Sequence, residues 1–118
     1  MNEASPQTDN MFVIWSSADP DVASKLVFMY TRNSMLRGWW NRVRLIIWGP
    51  SAKLLAENEE LQDEIIGVAK DGVEILACKR CADEFGVTEK LESLDIEVIY
   101  MGAPTTEMLK AGWRQMTF

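Results

Sequence analysis

At 118 residues, 47% of them hydrophobic, the chain is the size of one compact domain and carries enough apolar side chains to bury a core without staples. A net charge of -6 and a pI near 4.6 leave no basic footprint for a nucleic-acid backbone, so nucleic acid is excluded as an expected partner. No apolar stretch approaches the roughly 20 residues that span a bilayer, and no membrane partner is expected.

Residues 1–10 are polar, contain Pro6 and lack the basic-then-apolar progression of a secretory signal. They are expected to form a disordered tail ahead of a single domain at 11–118. Met11-Phe12-Val13-Ile14-Trp15 is a short run of strand formers ended by Ser16-Ser17, the pattern of a buried parallel strand. Asp19-Pro20-Asp21 supplies an N-cap, a proline at the first helical position and an acid in the first turn; Ala23, Leu26, Val27 and Tyr30 repeat at helical spacing up to Gly38.

Val43 to Trp48 reads as the second strand, closed by Gly49-Pro50-Ser51, with a short helix through Lys53, Leu54 and Leu55. Leu61, Ile65, Ile66 and Ala69 mark the next helix, with Gly72 expected at its C′ position and Glu59, Glu60, Asp63 and Glu64 on its solvent face. Val73 to Ala77 is a third strand ending at Cys78, followed by a helix that stops near Gly86. Thr88 is expected to cap a short helix through Leu91 and Leu94, and Ile96 to Tyr100 forms a fourth strand. Thr105 is expected to cap a last helix through Met108, Leu109 and Ala111, leaving Trp113 to Phe118 as an edge strand or a subunit contact.

Strands alternating with helices define an α/β domain with a largely parallel sheet and helices on both faces. In such sheets ligands bind beyond the carboxyl ends of the strands, where strand order reverses. With an order of 2-1-3-4-5, that point falls between strands one and three, and Ser16, Ser17 and Cys78 share one crevice.

Cys78 and Cys81, in Cys78-Lys79-Arg80-Cys81, are the chain's only cysteines, and it has no histidine. A Cys-x-x-Cys where a strand gives way to a helix puts two thiols near backbone N–H groups that favour thiolate, with Lys79 and Arg80 beside them as candidate ligand-binding groups. Two buried cysteines acting as small hydrophobes need no function, although the intervening cations argue against full burial. A structural zinc site wants four N or S ligands, so two thiols would have to be shared between subunits. A thioredoxin-like site lies early in its fold, whereas this pair follows the third strand. Gly49-Pro50-Ser51 lacks P-loop spacing and no Gly-x-Gly-x-x-Gly occurs, so neither nucleotide nor other cofactor is expected. One cysteine pair in a chain without a secretory signal fits a reducing cytoplasm.

Five tryptophans, including the tandem Trp39-Trp40, exceed what so small an interior needs, which points to a homo-oligomer whose contact includes some of Trp39, Trp40, Trp113 and Phe118.

Together these segments resemble the DsrE/DsrF-like (YchN-like) family over nearly the whole length: Val13-Ile14-Trp15-Ser16-Ser17, a long first helix, Trp48-Gly49-Pro50, and the run from Val73 through Cys78 to Gly86-Val87. The resemblance implies a flavodoxin-like three-layer sandwich with a mostly parallel five-stranded sheet, assembly into trimers or hexamers, and cytoplasmic sulfur transfer through a cysteine persulfide with a sulfur-relay protein partner. Cys78 matches the sulfur-carrying position; Cys81 matches a second cysteine of less characterised members and not the relay enzymes. A second thiol could release a bound sulfur as sulfide, which favours a redox-linked role over simple storage. The alternative is a non-catalytic oligomeric module that binds a small ligand or a metal between subunits.

Overall fold

The computed structural model of the chain describes residues 9–118. Residues 1–8 of the expected tail lie outside them, and Asn10 already belongs to the first strand. Five strands, β1 (Asn10–Trp15), β2 (Arg42–Ile47), β3 (Glu74–Cys78), β4 (Glu97–Ile99) and β5 (Arg114–Thr117), form one sheet in the order β4-β3-β2-β1-β5, every neighbouring pair parallel.

This order overturns the expected 2-1-3-4-5, because β2 lies between β1 and β3. Hydrophobic periodicity fixes which segments are strands and says nothing of their neighbours. The chain steps outward from β1 to β4 and then returns across the sheet to place β5 on the other side of β1. Crossovers of one hand send every connection of a one-way progression to the same face, and the return step to the opposite face.

The helices are distributed accordingly. Buried side chains from the first connection (α1, Pro20–Val22, a π-helical segment, Ala23–Phe28, and α2, Met29–Leu36), from α3 (Ser51–Glu57) and α4 (Glu59–Lys70), and from α5 (Lys79–Phe85) and α6 (Thr88–Glu92) share one core with Val13, Leu45 and Ala77. The opposite face, with Phe12, Ile46, Leu76 and Cys78, is closed by α7 (Gly102–Lys110) through Met108. Helices on both faces make the expected three layers, with one layer much the thinner.

Local signals hold in part. Asp19 caps α1 by accepting from the backbone N–H of Asp21 and Val22, with Pro20 at N1, and Gly72 follows α4 at φ +106, a conformation that excludes a Cβ. The π turn rotates the first helix away from the expected stripe: Leu26 is 42% exposed, while Thr31 is buried and donates its hydroxyl to the Val27 carbonyl at 2.8 Å. Neither threonine is the expected cap. Val87 precedes α6 while Thr88 donates to Asp83, and α7 starts three residues before Thr105, after Met101.

Trp113 packs on Phe12 at 6.5 Å between ring centroids and lies beneath the guanidinium groups of Arg42 and Arg44, at 5.2 and 4.9 Å. Trp40 donates its indole N–H to the Tyr30 hydroxyl, and Phe118 packs against the main core. Of the four aromatics expected at a subunit contact, Trp39 alone is largely exposed, at 52%.

Candidate functional site

Parallel strands present alternate residues to opposite faces, and the register brings Cys78 level with Ile99 of β4, on the thinly covered side. Cys78 ends β3 with extended dihedrals and is the N-cap residue of α5, which puts Cys81 at the third helical position. Side chains at an N-cap and three residues on meet in this geometry, and the two free thiols are neighbours here. The next residue, Ala82, turns into the main core and anchors the helix.

The thiols border a cavity of about 500 Å³ at the carboxyl ends of β2, β3 and β4. Trp48 bounds it after β2; Tyr100, Met101 and Gly102 bound it after β4. Arg80 and Glu84, one turn apart on α5, complete its lining. Cys78 is only 5% exposed, and Cys81 is half-buried.

Burial, followed by the bond to Cys78 and the nearness of its sulfur, pushes the Cys81 thiol above the ordinary thiol range, and the Gly49 N–H bonded to the Cys81 sulfur opposes this. Cys81 therefore keeps its proton at neutral pH. The Cys78 thiol takes no capping bond from α5, contrary to the expectation that the helix N–H groups would hold it. Nor are the neighbouring cations unpaired. Lys79 bonds Asp83 at 3.1 Å and extends over the Tyr100 ring at 5.9 Å, and Arg80 bonds Glu84 at 2.9 Å. Arg80 reaches the cavity, whereas Lys79 is not among its lining residues.

Ser16 and Ser17 do not face Cys78. Both backbone N–H groups and the Ser16 hydroxyl are bonded to the Phe118 carbonyl beside β5, with β2 between them and the thiols. Their link to the site is indirect, since Ser16 lies beside Gly49, which in turn contacts Cys81. Sequence reasoning missed Trp48, Glu84, Tyr100 and Met101 as cavity walls and Gly49 as a partner of Cys81. Trp48 and Tyr100 follow their strands as Ser16 follows β1, so the correct strand order would have exchanged one pair for the other.

Among the described residues, no group of three or more Cys, Asp or Glu side chains is placed to hold a metal ion. No helix among them is long and apolar enough to cross a membrane.

The chain belongs to the DsrE/DsrF-like family, whose sequence model matches residues 9–118. A conserved protein of unknown function from Bacteroides thetaiotaomicron superposes with a TM-score of 0.92 at 36% identity, over 98% of this chain and 100% of that one. A protein of unknown function from Methanobacterium thermoautotrophicum (TM-score 0.73; 92% of this chain, 97% of the other) and the ychN protein of E. coli (0.63; 92% and 99%) share the fold at 18% identity each. No curated protein matches the sequence.

Proposed function

We propose that the protein is a sulfur-transfer or thiol-redox protein in which Cys78 accepts a sulfane sulfur and Cys81 resolves it. One observation carries the reading: two reduced thiols in contact border the same open cavity at the carboxyl end of a parallel sheet. Family membership supports it, since the resemblance implies persulfide chemistry at Cys78.

In the loading step the Cys78 thiolate attacks the outer sulfur of a persulfide, R–S–SH. The Cys78–sulfur bond forms, the donor S–S bond breaks, and its electron pair leaves on RS⁻. In the release step the Cys81 thiolate attacks the Cys78 sulfur and expels HS⁻. The two thiols are oxidised to a disulfide while the sulfane sulfur is reduced to sulfide, and a thiol reductant restores the pair.

The protein acts as a homo-oligomer in this reading, a trimer or hexamer by resemblance, with exposed Trp39 in the contact. A sulfur-relay protein could receive the persulfide before Cys81 intervenes. Intact-mass analysis before and after treatment with inorganic polysulfide tests the reading: native protein should gain one sulfur atom, and Cys78→Ser none. A competing reading, ligand or metal binding without chemistry, draws on the missing helix N–H bond to Cys78. Metal present on purification, together with failure to load sulfur, would establish it instead.

A further inference from the structure

The cavity's walls specify a class of donor, an inference that rests on the sulfur reading above. Cys78 is 5% exposed within a cavity also bounded by Trp48 and Tyr100, so a broad surface laid flat across the mouth does not reach the sulfur, and the group that exchanges it must enter the cavity. A volume of about 500 Å³ instead matches the few hundred to one thousand Å³ typical of small-molecule sites. Trp48 and Tyr100 offer apolar surface to an organic body and little to a hydrated inorganic anion.

Charge selects further. Arg80 is the cation of the cavity lining and Glu84 the acid, and they bond each other at 2.9 Å as an exposed pair one turn apart. Such pairs contribute little to stability, so a carboxylate arriving with a ligand can replace Glu84 on Arg80 at small cost. Glu84 thus occupies the position a ligand's own carboxylate would take.

We propose that the sulfur donor is a small organic persulfide bearing a carboxylate, its body against Trp48 and Tyr100 and its carboxylate on Arg80 in place of Glu84. Transfer follows the loading step already written: the outer sulfur moves to Cys78 and the donor leaves as the thiolate RS⁻.

The test compares two donors alike except in charge, N-acetylcysteine persulfide and N-acetylcysteinamide persulfide, with loading of Cys78 read by intact mass at low salt. The acid should load about fivefold faster. Arg80→Gln should abolish that preference, and Glu84→Gln should widen it by freeing Arg80. Binding of the unreactive N-acetyl-S-methylcysteine and its amide, followed by NMR shifts of the Trp48 indole, should show the same order without any sulfur transfer. Equal loading by acid and amide, or a preference that survives Arg80→Gln, overturns the assignment. If inorganic polysulfide loads Cys78 and neither organic donor does, the donor class is wrong and the sulfur reading stands. If no donor loads Cys78, the sulfur reading falls and the donor assignment with it.

Discussion

Gly49 and Cys81 meet at the ends of different elements, the glycine N–H bonded to the cysteine sulfur from the turn that follows β2. Gly49 holds φ at +99, and a Cβ built there would lie 3.8 Å from the Ser16 Cβ, an ordinary contact. The barrier to substitution is therefore conformational. Gly49→Ala should cost about 1–2 kcal/mol in urea unfolding. Displacing the N–H that favours the Cys81 thiolate should also move the pH midpoint of Cys81 alkylation upward. An unchanged midpoint would show that the glycine is needed by the turn alone.

The two thiols should behave unequally. Because the Cys81 thiol titrates above the ordinary thiol range, its thiolate is scarce at neutral pH and grows as pH rises. Sulfide release from loaded protein should accelerate with pH through the alkaline range, and Cys81→Ser should prolong the loaded state. Release measured by sulfide trapping that is independent of pH, or unaffected by Cys81→Ser, would remove Cys81 from the resolving role.

Glu74 accepts two hydrogen bonds from Arg42, at 3.0 and 2.9 Å, and one from Arg44 at 3.1 Å. Burial pushes its carboxyl up, but the bonds and charges of the two arginines outweigh this and hold it below the usual carboxylate range. A lowered carboxyl stabilises the fold above its unfolded pKa of about 4.3 and loses that contribution as pH falls through the lowered value. With the side chain 41% exposed, Glu74→Gln should cost no more than about 1 kcal/mol at pH 7. The gap between wild type and variant in urea midpoint should close in acid, and a gap that persists would point to packing.

Much of this was legible in the sequence. β1 to β4 and the βα boundary at Cys78 follow from apolar runs closed by small or polar residues, and the N-cap at Asp19 follows from its spacing to Pro20 and Asp21, whereas β5, exposed and mostly polar, left an edge strand and a subunit contact both open. Strand order was not legible, since it depends on which edges meet and not on the pattern within a segment. Ser16 and Ser17 were drawn toward Cys78 by that one error, and Trp48 and Tyr100 were overlooked by it. The π turn escaped because Leu26 and Val27 fit an ordinary helix equally well. Trp113 was misjudged because its cover comes from Arg42 and Arg44, charged side chains that lie flat on an indole.

Trp113 and Trp39 should therefore separate stability from assembly. Trp113→Ala removes a ring packed between Phe12 and two guanidinium groups, and should destabilise the fold by about 2–3 kcal/mol. Trp39→Ser should leave the stability of the protomer nearly unchanged and weaken self-association in light scattering. A monomeric native protein at micromolar concentration would refute the oligomer itself.

The return crossover that lays α7 over the second face also dictates when the thiol cavity can come into being. β1 through β3 and their helices can assemble as each is made, yet Tyr100, Met101 and Gly102 belong to the start of the final connection, and Met11 of β1 finds Arg114 of β5 only near the other end of the described chain. Such distant pairing is slow relative to local contacts. Cys78 shares its buried cluster with Met101 and Met108, so its shelter is complete only with the last connection docked on the sheet, and reactivity of the thiol pair also reports that docking.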